Sequence, residues 1–353
     1  MSQHPGHLPP TPKHKVSVVI LNWNGRDFLS RFLPGIVEHS GSAEIVVADN
    51  ASTDDSVSFV RTHFPTVTLL ENDVNGGFAK GYNDALLRVH SEYYVLLNSD
   101  VEVTPGWLEP LLQLCEGDPL IAACQPKILD YKNKSRFEYA GAAGGYIDKF
   151  GFPFCRGRIF DSFENDEGQY ADTREVLWAT GACLLIRSDA YHRQNGLDED
   201  FFAHMEEIDL CWRLKNEGFK VMYCAGSTVY HVGGGTLSKL SPRKTFLNFR
   251  NNLILLCKNH APGFFIPKLF IRMCFDGVAA FKFLFSGDPT HFLAVMKAHL
   301  SFYSTIGRTF KKRRSLRKKI KHFSKSCIYR RSIVFDYFLH RKKKFSDLDK
   351  QAF

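Results

Sequence analysis

Over the first hundred residues, apolar positions fall into two alternating rhythms. Residues 16–21, 44–48, 67–70 and 93–97 are short, nearly continuous runs rich in Val, Ile, Leu and Tyr, the pattern of strands buried on both faces. Between them, residues 26–39 carry Phe28, Leu29, Phe32, Leu33, Ile36 and Val37 at helical spacing, and 54–63 and 77–90 also read as helices. Strands alternating with short helices predict an α/β architecture: a Rossmann-like, mostly parallel sheet with helices on both faces. Residues 131–175 lose this periodicity. They are too long for an ordinary connection and predict a functional loop or small subdomain. Residues 176–186 read as strand, glycine turn and strand, 205–217 as a helix, and 220–231 as a strand ending at His231 before Gly233-Gly234-Gly235. From 246 to 310 the chain is helical and aromatic. The expected organisation is a disordered leader (1–14), an α/β domain (15–255), an amphipathic helical region (256–310) and a basic C-terminal tail (311–353).

Composition narrows this picture. Hydrophobic residues at 44% and charged residues at 24% exclude wholesale disorder. No run of uncharged apolar residues is long enough to span a bilayer, and the first 15 residues lack the apolar core of a secretory signal. Nine scattered Cys without a C-x-x-C pair argue against a disulfide framework or a Cys-rich zinc site and fit a reducing cytoplasm. Charge is distributed unevenly. Residues 311–344 carry a net +14 and 345–353 a net −1, so the total of +9 leaves −4 for the first 310. A basic tail seeks polyanions, either anionic lipid headgroups or nucleic acid. In 264–285, Lys268, Arg272, Asp276 and Lys282 gather within about 120° of a helical wheel. That shape suits a helix in a membrane interface, a core helix of a bundle or a homodimer contact.

In parallel α/β sheets, ligands bind at the carboxyl ends of the strands. Those ends carry Asn22, Trp23 and Asn24; Asp49, Asn50 and Asp54; Asn72, Asn75 and Gly76; and Asn98, Ser99 and Asp100. Asn and Asp also serve as turn formers. Repeated over four strands, however, the row suits a base, a ribose and a metal-bound pyrophosphate. Asp100, with Asn98 two residues before it, can hold Mg²⁺ or Mn²⁺, which take oxygen ligands and substrate phosphates. Glu206, Glu207 and Asp209 open a helix, where acids favour the dipole. Adjacent carboxylates also raise one another's pKa, which makes a better general base. The glycines after His231 would let backbone approach a phosphate closely.

The chain resembles the glycosyltransferase family 2 enzymes, most closely their rhamnosyltransferase-like branch. The resemblance covers residues 15–255 and rests on motifs in order: Val18-Val19-Ile20-Leu21-Asn22-Trp23-Asn24, Ala48-Asp49-Asn50-Ala51-Ser52-Thr53-Asp54, Asn75-Gly76-Gly77-Phe78-Ala79-Lys80-Gly81-Tyr82-Asn83, Asn98-Ser99-Asp100, Thr180-Gly181-Ala182-Cys183, Glu206-Glu207-Ile208-Asp209 and His231-Val232-Gly233-Gly234. It implies a GT-A fold, with Asn22, Asn24 and Asp49 on the nucleoside, Asp54 in support, and Asn75, Gly76, Asn83 and Asn98 on the donor side. It also implies Asp100 and His231 as metal ligands and a catalytic base from Glu206, Glu207 and Asp209, with Glu207 favoured. Glu207 stands where the family usually has Asp, and Asn98 replaces one acid of its D-x-D element. Trp178 and Gly181 are expected at the acceptor, Trp178 by stacking on a sugar face.

The implied activity is inverting transfer of rhamnose or a hexose from a dTDP- or UDP-sugar to a saccharide or lipid-linked saccharide in surface polysaccharide synthesis. The enzyme is expected in the cytoplasm, peripheral on the inner face of an anionic membrane. The alternative is a catalytically idle GT-A domain that binds carbohydrate or an anionic membrane. Residues 311–344 show no recognisable RNA motif, so nucleic acid is not expected as a partner.

Overall fold

A computed structural model describes residues 12–233, 241–263, 265–320 and 323–353. Most of the expected leader, and Gly234-Gly235, lie outside these residues. The four apolar runs form strands β1 (His14–Asn22), β2 (Glu44–Asp49), β3 (Thr68–Glu71) and β4 (Ser91–Asn98). Helices α1 (Arg26–His39), α2 (Ser56–His63) and α3 (Gly77–Leu86) separate them. All four strands are parallel, in the order β3-β2-β1-β4. Alternate residues of each strand face opposite layers. Val18 and Ile20 of β1 join Leu29, Leu33 and Ile36 of α1 in one core layer. Val19 joins Tyr82 and Ala85 of α3 in the other. The register sets Asn22 opposite Asp49 and Leu21 opposite Asn98, so the polar strand ends lie level along one edge.

Beyond β4 come β5 (Val101–Val103), α4 (Glu109–Gly117) and β6 (Ile121–Asp130), then the short strands β7 (Gly145–Asp148), β8 (Pro153–Cys155), β9 (Arg158–Ile159) and β10 (Ser162–Phe163). Next are β11 (Arg174–Val176), β12 (Cys183–Arg187), α5 (Ser188–Arg193), α6 (Glu206–Asn216) and β13 (Lys220–His231). The stretch 176–186 is not a hairpin: β11 pairs with β13, whereas β12 lies antiparallel between β4 and β6. Together with β5 on β13, this makes the nine-stranded sheet mixed overall, parallel from β3 to β4 and again between β6 and β13. The aperiodic segment holds a second, five-stranded sheet of order β10-β9-β8-β7-β14, whose last strand, β14 (Ile328–Tyr329), arrives from the C-terminal part.

The C-terminal part departs from the expected boundaries. Helices α7 (Pro242–Asn259), α8 (Phe265–Phe285) and α9 (Pro289–Lys319) run through positions 255 and 310. Residues 323–353 are not a solvated tail. Strand β14 (Ile328–Tyr329) pairs with β7, α10 (Ile333–Phe338) follows, and Tyr329, Ile333, Leu348 and Ala352 are buried. Phe345 and Phe353 pack their rings 5.2 and 5.1 Å from Tyr146. In α8 the middle of the charged face, Arg272 and Asp276, turns inward, while Lys282 stays exposed. Buried Arg272 donates to Asp276 at 2.9 Å and to Asn252 of α7, and Asp276 also meets His299 of α9 at 3.3 Å. The apolar face, including Ile266, Phe270, Val278, Phe281 and Phe285, faces outward.

Candidate active site

At the first two strand ends, the polar residues hold one another. Buried Asn22 donates to Asp49 at 3.0 Å, and Asp49 accepts from the Ser52 amide at 2.8 Å and its hydroxyl at 2.6 Å. Asn24, at a φ of 49°, accepts from the Thr53 amide at 2.7 Å. Asp54 accepts from the Arg26 and Ser56 amides at 3.2 and 3.1 Å. Burial pulls its pKa up, but the Ser56 hydroxyl and the Ser56 and Arg26 amides together hold its carboxyl below the usual range. The result is a preset concave turn between β1 and β2, with exposed Trp23 on its rim.

At the third strand end, Asn75 accepts from Asn50 and from the Gly77 amide, each at 3.0 Å. Gly77 has φ 80°, and a Cβ there would come within 2.6 Å of the Phe202 carbonyl, so the start of α3 needs glycine. Gly76 precedes it at the N-cap of α3, beside Lys80. Asn83 is placed elsewhere. Its amide donates to Leu197 O at 2.9 Å and Glu199 at 3.1 Å, and accepts from Tyr191 at 2.6 Å and the Leu197 amide at 3.0 Å. It ties α3 to the 191–199 segment and keeps no free polar atom for a donor.

Asp100 and His231 meet at the edge between β4 and β13. Their side chains are nearly buried, 3.1 Å apart, and Asn98 approaches the same ring nitrogen at 3.5 Å. The other ring nitrogen lies 3.3 Å from buried Glu138, a residue the motif reading did not select. Burial alone would lower the His231 pKa. Asp100 and Glu138 outweigh it and raise the ring to about 10, and both acids are lowered in return against the cost of their own burial. Among the described residues no group of three His, Cys, Asp or Glu forms a ready cation cage. Once the ring gives up its Nε2 proton, the Asp100 carboxylate and the His231 imidazole at a strand end fit a Mg²⁺ or Mn²⁺ that would take its remaining ligands from substrate and water.

The acids of α6 divide sharply. Asp209 is fully buried, and both its oxygens are engaged: Arg213 at 2.8 Å, Lys258 at 2.8 Å and Asn259 at 2.7 Å. It anchors α6 to α7 and is not available to a substrate. Glu206 is 3% exposed, and burial, reinforced by Glu207, pushes its pKa far up. Glu207 is partly accessible, and burial raises it to about 7. Oε2 of each of the two glutamates is buried without a hydrogen-bond partner. Gly181 lies beside it: a Cβ there would meet Phe78 at 3.0 Å and the Glu207 Cβ at 3.8 Å.

Just before this pair the backbone is strained. Phe202, His204 and Met205 have φ of 64°, 70° and 76°. Asn251 of α7, fully buried, holds this segment by donating to the carbonyls of Phe201, Ala203 and His204 at 2.9, 2.8 and 2.8 Å. The expected acceptor platform at Trp178 does not form. Its ring is 4% exposed, packs against Gly145 and donates to Tyr146 O at 3.0 Å, which leaves no open face for a sugar. The edge therefore offers a preformed polar turn, an Asp–His pair and a partly accessible carboxylate of raised pKa.

A family model described as glycosyl transferase family 2 matches residues 17–193. The N-acetylglucosaminyl-diphospho-decaprenol L-rhamnosyltransferase of Mycobacterium tuberculosis is 24% identical over 320 residues, covering 86% of this chain and 96% of that protein. The rhamnosyltransferase WbbL of Escherichia coli K12 is 25% identical over 225 residues, covering 61% of this chain and 83% of that protein. The crystal structure of GalNAc-T7 with UDP, GalNAc and Mn²⁺ superposes with a TM-score of 0.52 at 16% identity, covering 69% of this chain and 47% of that one. At that identity the likeness concerns the fold.

Proposed function

Since the chain belongs to glycosyl transferase family 2, with the GT-A fold and rhamnosyltransferase-like relatives, we propose that it moves rhamnose or a hexose, with inversion, from a dTDP- or UDP-sugar to a saccharide or lipid-linked saccharide. The observation that carries the mechanism is Glu207. It is the less buried acid of its pair and is poised near neutrality, where a general base works best. Its carboxylate accepts the proton of an acceptor hydroxyl as that oxygen attacks the anomeric carbon. The bond to the nucleoside diphosphate breaks on the opposite face.

The turn of Asn22, Asn24, Asp49 and Asp54 receives the nucleoside, and Asn75 and Gly76 border the donor beside it. Asp100 and His231 would hold Mg²⁺ or Mn²⁺, which when bound offsets charge on the departing diphosphate. Gly181, beside Glu207 and against Phe78, borders the acceptor in this reading. The name of the M. tuberculosis relative couples L-rhamnosyl transfer to N-acetylglucosaminyl-diphospho-decaprenol, which supports a lipid-linked acceptor.

Thermal shift with a panel of nucleotide sugars and Mn²⁺ tests the donor assignment. A true donor at about 100 times its Kd adds roughly 2.7 kcal/mol of stability. A shift with dTDP-rhamnose or a UDP-hexose is expected, and none with any nucleotide sugar would overturn the proposal.

A further inference from the structure

The geometry points to the outer face of the α8–α9 pair as a docking surface for an anionic phospholipid leaflet, with a built groove for lipid headgroups at one end. On α8 the exposed residues Ile266, Phe270, Cys274, Val278, Phe281 and Phe285 recur every three or four positions, so they form one face. Val278 is 71% and Phe285 84% exposed. Soluble monomers rarely leave a contiguous apolar patch of this kind uncovered. The helix cannot be turned over to hide it, because Arg272 and Asp276 are locked into the body by Asn252 and His299. Antiparallel α9 continues the surface with exposed Leu293, Met296, Leu300 and Tyr303.

Charge identifies the occupant. Farther along α9, exposed Lys311, Arg314, Arg317 and Lys318 line a groove of about 860 Å³ together with Ile266 and Phe310. Helix α9 contains no acid, and the single acid of α8, Asp276, is buried. The one partly exposed acid of the pair is Asp288 in the α8–α9 connection, so the surface offers little negative charge with which the cations of a second copy could pair. A nucleic acid would satisfy the cations but leave the apolar face in water. A leaflet satisfies both, since acyl chains take the apolar face and phosphate headgroups the cations. No helix among the described residues is long and apolar enough to cross a membrane, so the contact lies in the plane of the interface. The site deepens the lipid-linked-acceptor proposal, yet its test needs no turnover.

The test is flotation of the full chain with phosphatidylglycerol/phosphatidylcholine vesicles and with pure phosphatidylcholine. Binding to the anionic vesicles that weakens with added salt is expected. Phe270→Glu combined with Val278→Glu should reduce it at least about tenfold, and Arg314→Glu combined with Arg317→Glu should remove the preference for anionic lipid. All four positions are exposed, so circular dichroism and soluble-acceptor activity should be unchanged. Unaltered flotation of both double variants would overturn the proposal. So would a vesicle-free dimer that Phe270→Glu/Val278→Glu dissociates, or RNA binding through the groove without vesicle binding. Loss of flotation with an unchanged circular dichroism spectrum would support it, whatever reaction the protein catalyses.

Discussion

Glu138 reaches Nδ1 of His231 at 3.3 Å, on the side of the ring opposite Asp100. A ring held from behind by a carboxylate is fixed in orientation, and outer partners of this type typically change metal affinity 10–100-fold. Glu138→Gln should therefore weaken Mn²⁺ binding by about tenfold, read directly by Mn²⁺ paramagnetic resonance titration in the presence of UDP. Unchanged Mn²⁺ affinity would remove Glu138 from the site.

Asn251 holds three carbonyls of the strained segment before Glu206. Asn251→Ala leaves these buried acceptors short of a donor, at roughly 1–3 kcal/mol. The expected outcome is a lower Tm together with a reduced kcat and little change in donor KM, because the segment positions Glu207 and not the nucleotide. A lower Tm with kcat unchanged would reduce Asn251 to a purely structural role.

Trp178 is a core residue here, not a platform. Trp178→Ala should cost about 3–5 kcal/mol of stability. Urea unfolding and acceptor KM, measured together, distinguish the two roles: a raised acceptor KM with stability intact would restore the stacking role.

The raised pKa of Glu207 sets a pH signature. A base must be ionised, so kcat/KM should climb as pH rises toward about 7 and level off above it. Stability runs the other way. The folded chain holds this proton more tightly than the unfolded one, so the contribution is fully present below about 4.5 and is lost as pH rises through about 7. Buried Glu206 adds in the same direction. The Tm advantage of the wild type over Glu207→Gln, read from melting curves, should therefore fall as pH rises from 4 to 8.

The parallel half of the sheet was legible because its strands are short apolar runs with polar ends, and parallel register then sets those ends level. Asp100, Glu207 and His231 could be found as acids or imidazole at element boundaries. Glu138 could not: it lies in an aperiodic segment, and only the pairing of its amide with Ile128 O brings it beside the end of β13. Asn251 carries a weak signal, a polar residue on the apolar side of a helix. Asp209 and Asn83 match the motif but are consumed by packing, which spacing cannot reveal. The wheel of α8 located a charged face without showing which face meets water, and paired charges reversed the usual answer. In 323–353 the dense positive charge masked a few aromatic anchors, Tyr329, Phe345 and Phe353, that fold the segment back.

The central claim is that Glu207 is the base. Glu207→Gln keeps the shape of the side chain but removes its basicity, so single-turnover transfer from the cognate nucleotide sugar should fall by roughly 10²-fold or more while donor affinity is retained. Glu206→Gln, altering a side chain shielded from the acceptor, should retain transfer. Full activity in Glu207→Gln alongside an inactive Glu206→Gln would contradict the assignment.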